Sequence, residues 1–385
     1  MSSAGRNNTI DFWRGFVLVV ILVNHIPGNL LEHLTPRNYG FSDAAEAFIF
    51  ISGLSLALVY FPKIPQGDVW GVFKRCLRRS FELYRMHLLL TAVAIALFSL
   101  GYELSDDIGL IEADGRSAVF GDTAKGITGI VFLGHQLGYF NILPLYIALM
   151  LWAPVALVLA RVHVGLALAV SVVIYVLARV GLLVLPSWPE PGTWFFNPFA
   201  WQLLFTIGIV CGVVWRGKKP PFSLGGFLVA SLFLVGSLLV MTDAFGTAPA
   251  LFDKLFAEVD ISKNDLGLGR LIHFLALAYV VVQSKLDIQL AKTRMGPEVI
   301  RLGRYSLPIF AAGSLLAAGG QVIMTLAAVK SSASPHVIGM IFTIAAVMVL
   351  LALARYLEWT TLKPAVPLKG EPAKPLDLPS VSTGR

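Results

Sequence analysis

Ten predominantly apolar stretches recur along the chain, each near the ~20 residues a helix needs to cross a bilayer. They fall at about 10–27, 44–61, 82–101, 141–160, 166–185, 200–215, 222–241, 270–284, 305–328 and 336–355, and the sixth and eighth are short. This pattern predicts an all-α polytopic membrane protein, a bundle of about ten transmembrane helices forming one integral membrane domain over 1–358. Beyond it, 359–385 is rich in proline and poor in large apolar residues, which predicts a disordered cytoplasmic tail. Arg14 interrupts the first stretch and no small-residue cleavage pattern follows, so it reads as a retained helix rather than a signal peptide. No internal repeat of the kind that pairs transporter halves is visible.

Basic residues between the stretches set the orientation. With the N-terminus inside, the cytoplasmic segments hold 20 of the 30 Lys and Arg residues and the outer loops hold 6. That bias is the positive-inside rule, and it predicts cytoplasmic N- and C-termini. Two outer loops are long, 102–140 and 242–269, and the last third of the first is apolar enough to dip back toward the membrane.

Composition agrees with the pattern. The chain is 56% hydrophobic and 14% charged, whereas soluble domains carry about 25% charged residues. A net charge of +7 would suit an anionic partner, but its placement beside the apolar stretches marks orientation, so no nucleic-acid partner is expected. Cys76 and Cys211 lack metal-ligand spacing and fall on the cytoplasmic side, so neither a metal site nor a disulfide is expected.

Several ionisable groups sit where a bilayer tolerates them poorly. The first stretch carries Asp11, Arg14 and His25. Eleven residues of helix bring Arg14 and His25 within about 20° of each other and about 16 Å apart along the axis. Arg14 would sit near the cytoplasmic end and His25 near the outer end. One reading makes them an interfacial ion pair with Asp11 and an interfacial histidine. The other makes aligned groups facing the bundle functional, with His25 a general base toward an alcohol. Asp43 and Glu46, at the outer entrance of the second stretch, either orient His25 or are helix-terminal acids favoured by the dipole. Ser52 and Gly53 fit close helix contact better than nucleophilic catalysis.

The segment before the third stretch reads Lys74-Arg75-Cys76-Leu77-Arg78-Arg79, followed by Glu82, Arg85 and His87. It either marks topology or grips a phosphorylated cytoplasmic ligand. Candidate outer-side groups are His135, Gln136, Asn141, Tyr146, Trp201, Gln202, Arg270 and His273, with Trp188 and Trp194 as aromatic surfaces for sugars. Interfacial anchoring explains such aromatics equally well.

Asp11-Phe12-Trp13-Arg14-Gly15 with His25 resembles the Arg-x10-His first-helix motif of the membrane acyltransferase-3 superfamily, and Phe48 to Gly53 resembles its second-helix Ser-Gly signature. Asp43 to Gly53, Glu82-Leu83-Tyr84-Arg85, Asn141 to Tyr146, Asn197 to Gln202 and Leu302 to Pro308 resemble the OpgC branch, which succinylates osmoregulated periplasmic glucans. The resemblance extends over about 6–358. It implies a bacterial inner-membrane O-acyltransferase with no tightly bound cofactor. Acyl-CoA, succinyl-CoA in the OpgC branch, would enter from the cytoplasm near Arg14, Ser52, Arg75, Arg78, Arg79 and Arg85. A periplasmic glucan would meet His25 as the base, with Arg14, Asp43 and Glu46 in support. His135, Asn141, Tyr146, Trp201, Gln202, Arg270 and His273 would line the acceptor side. The third stretch departs from the wider superfamily in placing Glu82 and Arg85 where Arg and Pro are common, and the ninth lacks a terminal histidine. A transporter or exporter of a glycan or small anion would use the same intramembrane charges as a path, and a non-catalytic scaffold would use neither.

Overall fold

The computed structural model describes residues 7–64, 67–244 and 259–362. Each apolar stretch forms a helix: α1 (Asn8–Asn24), α2 (Ala44–Tyr60), α3 (Val69–Ser105), α4 (Ile142–Val162), α5 (Val164–Arg179), α6 (Pro198–Trp215), α7 (Leu224–Met241), α8 (Leu268–Ser284), α9 (Ser306–Lys330) and α10 (Pro335–Leu362). Among the described residues the only β pairing is an isolated bridge between Pro186 and Thr193.

Seven of these helices, α2, α3, α4, α6, α7, α9 and α10, are long and apolar enough to cross a membrane, against the ten expected. The other three have 17, 16 and 17 residues. α1 is shortened because the helix stops at His25, ahead of Pro27, and its apolar run is broken by Asp11 and Arg14. Most of the expected tail, 363–385, lies outside the described residues, and 359–362 continue α10.

α3 is much longer than its apolar stretch. Its 37 residues take in the basic segment because Trp70, Phe73, Leu77 and Phe81 recur at helical spacing beside Lys74, Arg75, Arg78 and Arg79. The segment after α3 contains short helices at Gly109–Glu112, Ser117–Gly121 and Thr123–Val131. The Tyr84 hydroxyl donates to the Val131 carbonyl at 2.9 Å. Tyr84 stands roughly 30 Å of helix before the end of α3, so the chain runs back down α3 before entering α4.

Two close helix contacts position the interior. α2 and α6 pack together along Gly53, Gly208 and Gly212. A Cβ on Gly53 would collide with the Phe205 carbonyl, and one on Gly208 with the Phe50 carbonyl. At the other contact, Gly15 of α1 and Gly303 of the short helix Gly296–Arg304 let two backbones meet, Gly303 lying against the Asp11 carbonyl. Glu358 of α10 ties this second contact down by accepting from Arg301 at 2.5 Å and Arg304 at 3.2 Å. α3 packs on α4 and α9, α9 on α10, α5 on α6, and α7 on α8. Only 6% of the apolar window of α7 is buried, which leaves its face for lipid.

Gly208→Val is expected to separate α2 from α6 and to cost at least about 1–3 kcal/mol, the usual effect of overpacking. Thermal unfolding in detergent reads this directly, and a melting temperature equal to the parent's would contradict the close contact.

Candidate active site

The first turn of α2 organises one side of the site. Asp43 is its N-cap, accepting from the Ala45 N–H at 2.8 Å, while Glu46 accepts from the Asp43 N–H at 2.8 Å, a reciprocal capping box. The same carboxylates hold cations from the far end of the sequence. Arg270 Nε donates to Glu46 at 2.6 Å and its guanidinium lies 3.3 Å from Asp43, while Lys263 Nζ donates to Asp43 at 2.6 Å. Glu46 is fully buried in this network.

α1 lines two cavities at different points along its length. The outer one, about 470 Å³, is lined by His25, Asn24, Arg37, Asp43, Asp114, Gln136, Tyr139, Asn141, Phe195, Phe196 and Lys263. His25 caps the C-terminus of α1, and its backbone carbonyl accepts from Gln321 Nε2 at 2.9 Å. Its ring lies 4.8 Å from that of Tyr139, and its Nδ1 is buried without a hydrogen-bond partner. Burial pushes the Tyr139 hydroxyl above its usual pKa, so it stays protonated and able to donate. A smaller cavity of about 220 Å³ adjoins, sharing Gln136 and Phe195 and adding His135, Glu190 and Trp194.

The inner cavity, about 450 Å³, is lined by Arg14, Ser52, Ser55, Tyr60, Arg75, Arg78, Arg79, Glu82, Tyr146 and Ser306, among others. Arg14 donates to Ser55 Oγ at 2.5 Å and to Asp11 at 3.4 Å. Arg75 pairs with Asp68, and Arg78 and Arg79 share Glu82 at 3.4 and 3.2 Å. Among the described residues, four guanidiniums meet three carboxylates at this mouth. Four planar donors at one opening suit a polyphosphate.

Sequence expectations meet this geometry unevenly. Arg14, Ser52, Arg75, Arg78 and Arg79 come together as expected, while Arg85 is exposed and stands apart from that group. His25, Asp43 and Asn141 share the outer cavity. Neither Asp43 nor Glu46 hydrogen-bonds His25; both are committed to the helix cap and the buried cations. Tyr146, expected on the outer side, lines the inner cavity because its position is one turn inside the start of α4.

Trp201, Gln202, Arg270 and His273 line none of these three cavities. Trp201 Nε1 donates to the carbonyls of Lys263 and Asn264, both at 3.1 Å, which fixes the strand of chain that delivers Lys263. Gln202 Nε2 donates to the Ser171 carbonyl at 2.8 Å, and His273 Nδ1 is hydrogen-bonded to Ser42 Oγ at 2.7 Å. His135 Nε2 donates to the Gly115 carbonyl at 2.7 Å. Sequence reasoning missed Arg37, Tyr139 and Lys263 as cavity residues and Ser55, Tyr60 and Ser306 on the inner side. Ser306 was signalled by the Leu302 to Pro308 stretch; nothing in spacing marks Tyr139. Among the described residues no cluster of His, Cys, Asp or Glu is arranged to hold a metal ion.

No curated protein and no solved structure matches the chain. A family model described as OpgC protein matches residues 6–361, and the chain belongs to that family.

Proposed function

We propose that the protein is a transmembrane O-acyltransferase that moves a succinyl group from cytoplasmic succinyl-CoA to hydroxyls of a periplasmic glucan. One observation carries this reading: α1 presents Arg14 to an arginine-lined cavity and His25 to a second cavity beyond it. Family membership supplies the glucan and the transferase class. In this reading all ten helices span the bacterial inner membrane, both termini face the cytoplasm, and acyl-CoA is a co-substrate rather than a resident cofactor.

The chemistry follows from the two cavities. Arg75, Arg78 and Arg79 hold the donor's phosphates, and the acyl arm reaches inward past Arg14 and Ser52. In the outer cavity a glucan hydroxyl meets His25 Nε2, because Nδ1 is buried. The imidazole takes the hydroxyl proton as the oxygen attacks the thioester carbonyl. The tetrahedral oxyanion accepts from the Tyr139 hydroxyl and the Asn141 amide, a form of stabilisation worth several kcal/mol when preorganised. On collapse the carbon–sulfur bond breaks, the CoA thiolate leaves, and it receives the proton from the imidazolium. Neighbouring sugar units extend into the smaller cavity, where Trp194 and Glu190 face them.

Arg79→Gln removes one charge-assisted contact to the donor. A contact of this kind is worth about 1.5–3 kcal/mol, so the affinity for CoA is expected to fall by about 10- to 100-fold at low salt, with the gap to the parent narrowing as salt rises. Calorimetric titration of CoA onto the purified protein measures it; unchanged affinity would remove the arginine mouth from the donor site.

Mass spectrometry of periplasmic glucans from cells with and without the protein tests the whole reading. Succinyl esters present only with the protein are the expected result. Unmodified glucans in both, with glycan accumulation in vesicles lacking acyl-CoA, would instead identify a transporter.

A further inference from the structure

The two cavities are neighbours that do not merge. On α1 the lining changes from Arg14 in the inner cavity to Ile21 in the outer one. On α2 it changes between Phe48 and Ala45, less than one turn apart, and on α4 between Leu143 and Ile142, which are adjacent. Three helices therefore switch cavity at the same level.

Aromatic rings occupy that level. Phe48 meets Tyr146 edge to face with centroids 5.6 Å apart, and the ring of Phe310, from α9, lies 6.1 Å from that of Phe48. Phe48 is 9% exposed and Phe310 4%. Phe48 is the ring common to both contacts. The two cavities share no lining residue, and Phe48 and Tyr146 line the inner one about a turn from the positions where α2 and α4 pass to the outer one.

We propose that Phe48, Tyr146 and Phe310 form a septum that opens for the acyl arm of the donor and limits the size of the acyl group transferred. The size limit rests on the acyl-transfer reading above; the septum itself does not. Aromatic side chains suit such a barrier because each swings about two torsions without carrying a buried charge. Closed, the septum keeps bulk water from crossing between the cavities and so protects a thioester held beneath it. A short, extended dicarboxylic acyl chain fits between parted rings, and a longer or branched one requires more of them to move.

The test uses the full-length protein in sealed vesicles of known sidedness, in a Cys76→Ala/Cys211→Ala background. Ala45→Cys places a thiol reporter in the outer cavity, and a membrane-impermeant thiol reagent is supplied from the Arg75 side. If the open state is the usual minor population of about 0.1–10%, removing the central ring speeds labelling by about 10- to 1,000-fold. Phe48→Ala is expected to show that gain, and Phe48→Leu a smaller one should the alanine variant fail to fold. Labelling that is equally fast with Phe48 present, or unchanged in both variants, overturns the septum.

A second arm compares acetyl, succinyl, glutaryl and adipoyl thioesters as donors. The parent is expected to fall off beyond succinyl, and the Phe48 variants to accept the longer chains. Faster labelling with an unmoved donor cut-off overturns the size limit while the septum stands. A parent that transfers no acyl group from any thioester overturns the acyl-transfer reading and the size limit together, and the labelling rates still decide the septum.

Discussion

Replacing His25 by alanine is expected to lower acyl transfer by about 10²–10⁴-fold, the usual contribution of a general base. In the proposed reading the base is the imidazole that lines the outer cavity, a group that can take a proton from an alcohol in its neutral form. The substitution removes little of the fold. The hydrogen bonds of His25 at the end of α1 are made by its backbone: its N–H donates to the Ile21 and Leu22 carbonyls at 3.0 and 3.2 Å and its carbonyl accepts from Gln321. The arginine mouth lies about 16 Å away along α1, so CoA affinity should not change. A variant that loses transfer, keeps CoA binding and keeps its melting temperature fits a base. Transfer at the parental rate would remove His25 from the chemistry.

Arg270→Ala carries the largest expected effect on stability. It strips the partner from Glu46, which is fully buried, and one of two cations from Asp43. Removing one member of a buried ion pair costs about 3–5 kcal/mol, because the remaining charge has lost its compensation. The capping box of α2 depends on the same carboxylate, so the entrance of α2 should loosen along with the contact to α8. The double variant Glu46→Gln/Arg270→Met leaves no orphaned charge and keeps a cap acceptor, and is expected to recover most of the loss. Unfolding midpoints in detergent distinguish these outcomes. An Arg270→Ala protein as stable as its parent would show that the pair contributes nothing to the fold.

Much of this architecture was legible in the sequence because the bilayer imposes a single length scale on apolar runs. All ten stretches became helices. The exceptions have local causes. α3 overran its apolar stretch because four aromatic and aliphatic residues recur at helical spacing through the basic segment, and a hydropathy window averages that pattern away. That Arg14 and His25 stand well apart along α1 was readable because a helix fixes the rise per residue in advance, and they line different cavities.

The partners of those residues were not readable, because they come from remote parts of the chain. Lys263 reaches Asp43 across 220 positions, and Arg270 reaches Glu46 across 224. Without that knowledge Asp43 and Glu46 looked available to His25, whereas their hydrogen bonds go elsewhere. Tyr139 entered the site through a turn at φ +69°, a conformation its sequence neighbourhood does not announce. The stretch that holds Trp201 and Gln202 also has contacts that spacing does not announce: Asn197 caps α6 and donates to Leu183 and Asp265, Trp201 donates to the Lys263 and Asn264 carbonyls, and Gln202 ties α6 to Ser171 of α5.

Transfer across the bilayer is measured most directly in sealed vesicles of one orientation, with succinyl-CoA and glucan supplied on chosen sides. Glucan ester is expected when the thioester is on the Arg75 side and the glucan on the His25 side, with little or none in the reverse arrangement or with both on one side. Ester formed equally well with both substrates on a single side would contradict a donor cavity and an acceptor cavity on opposite faces of the membrane.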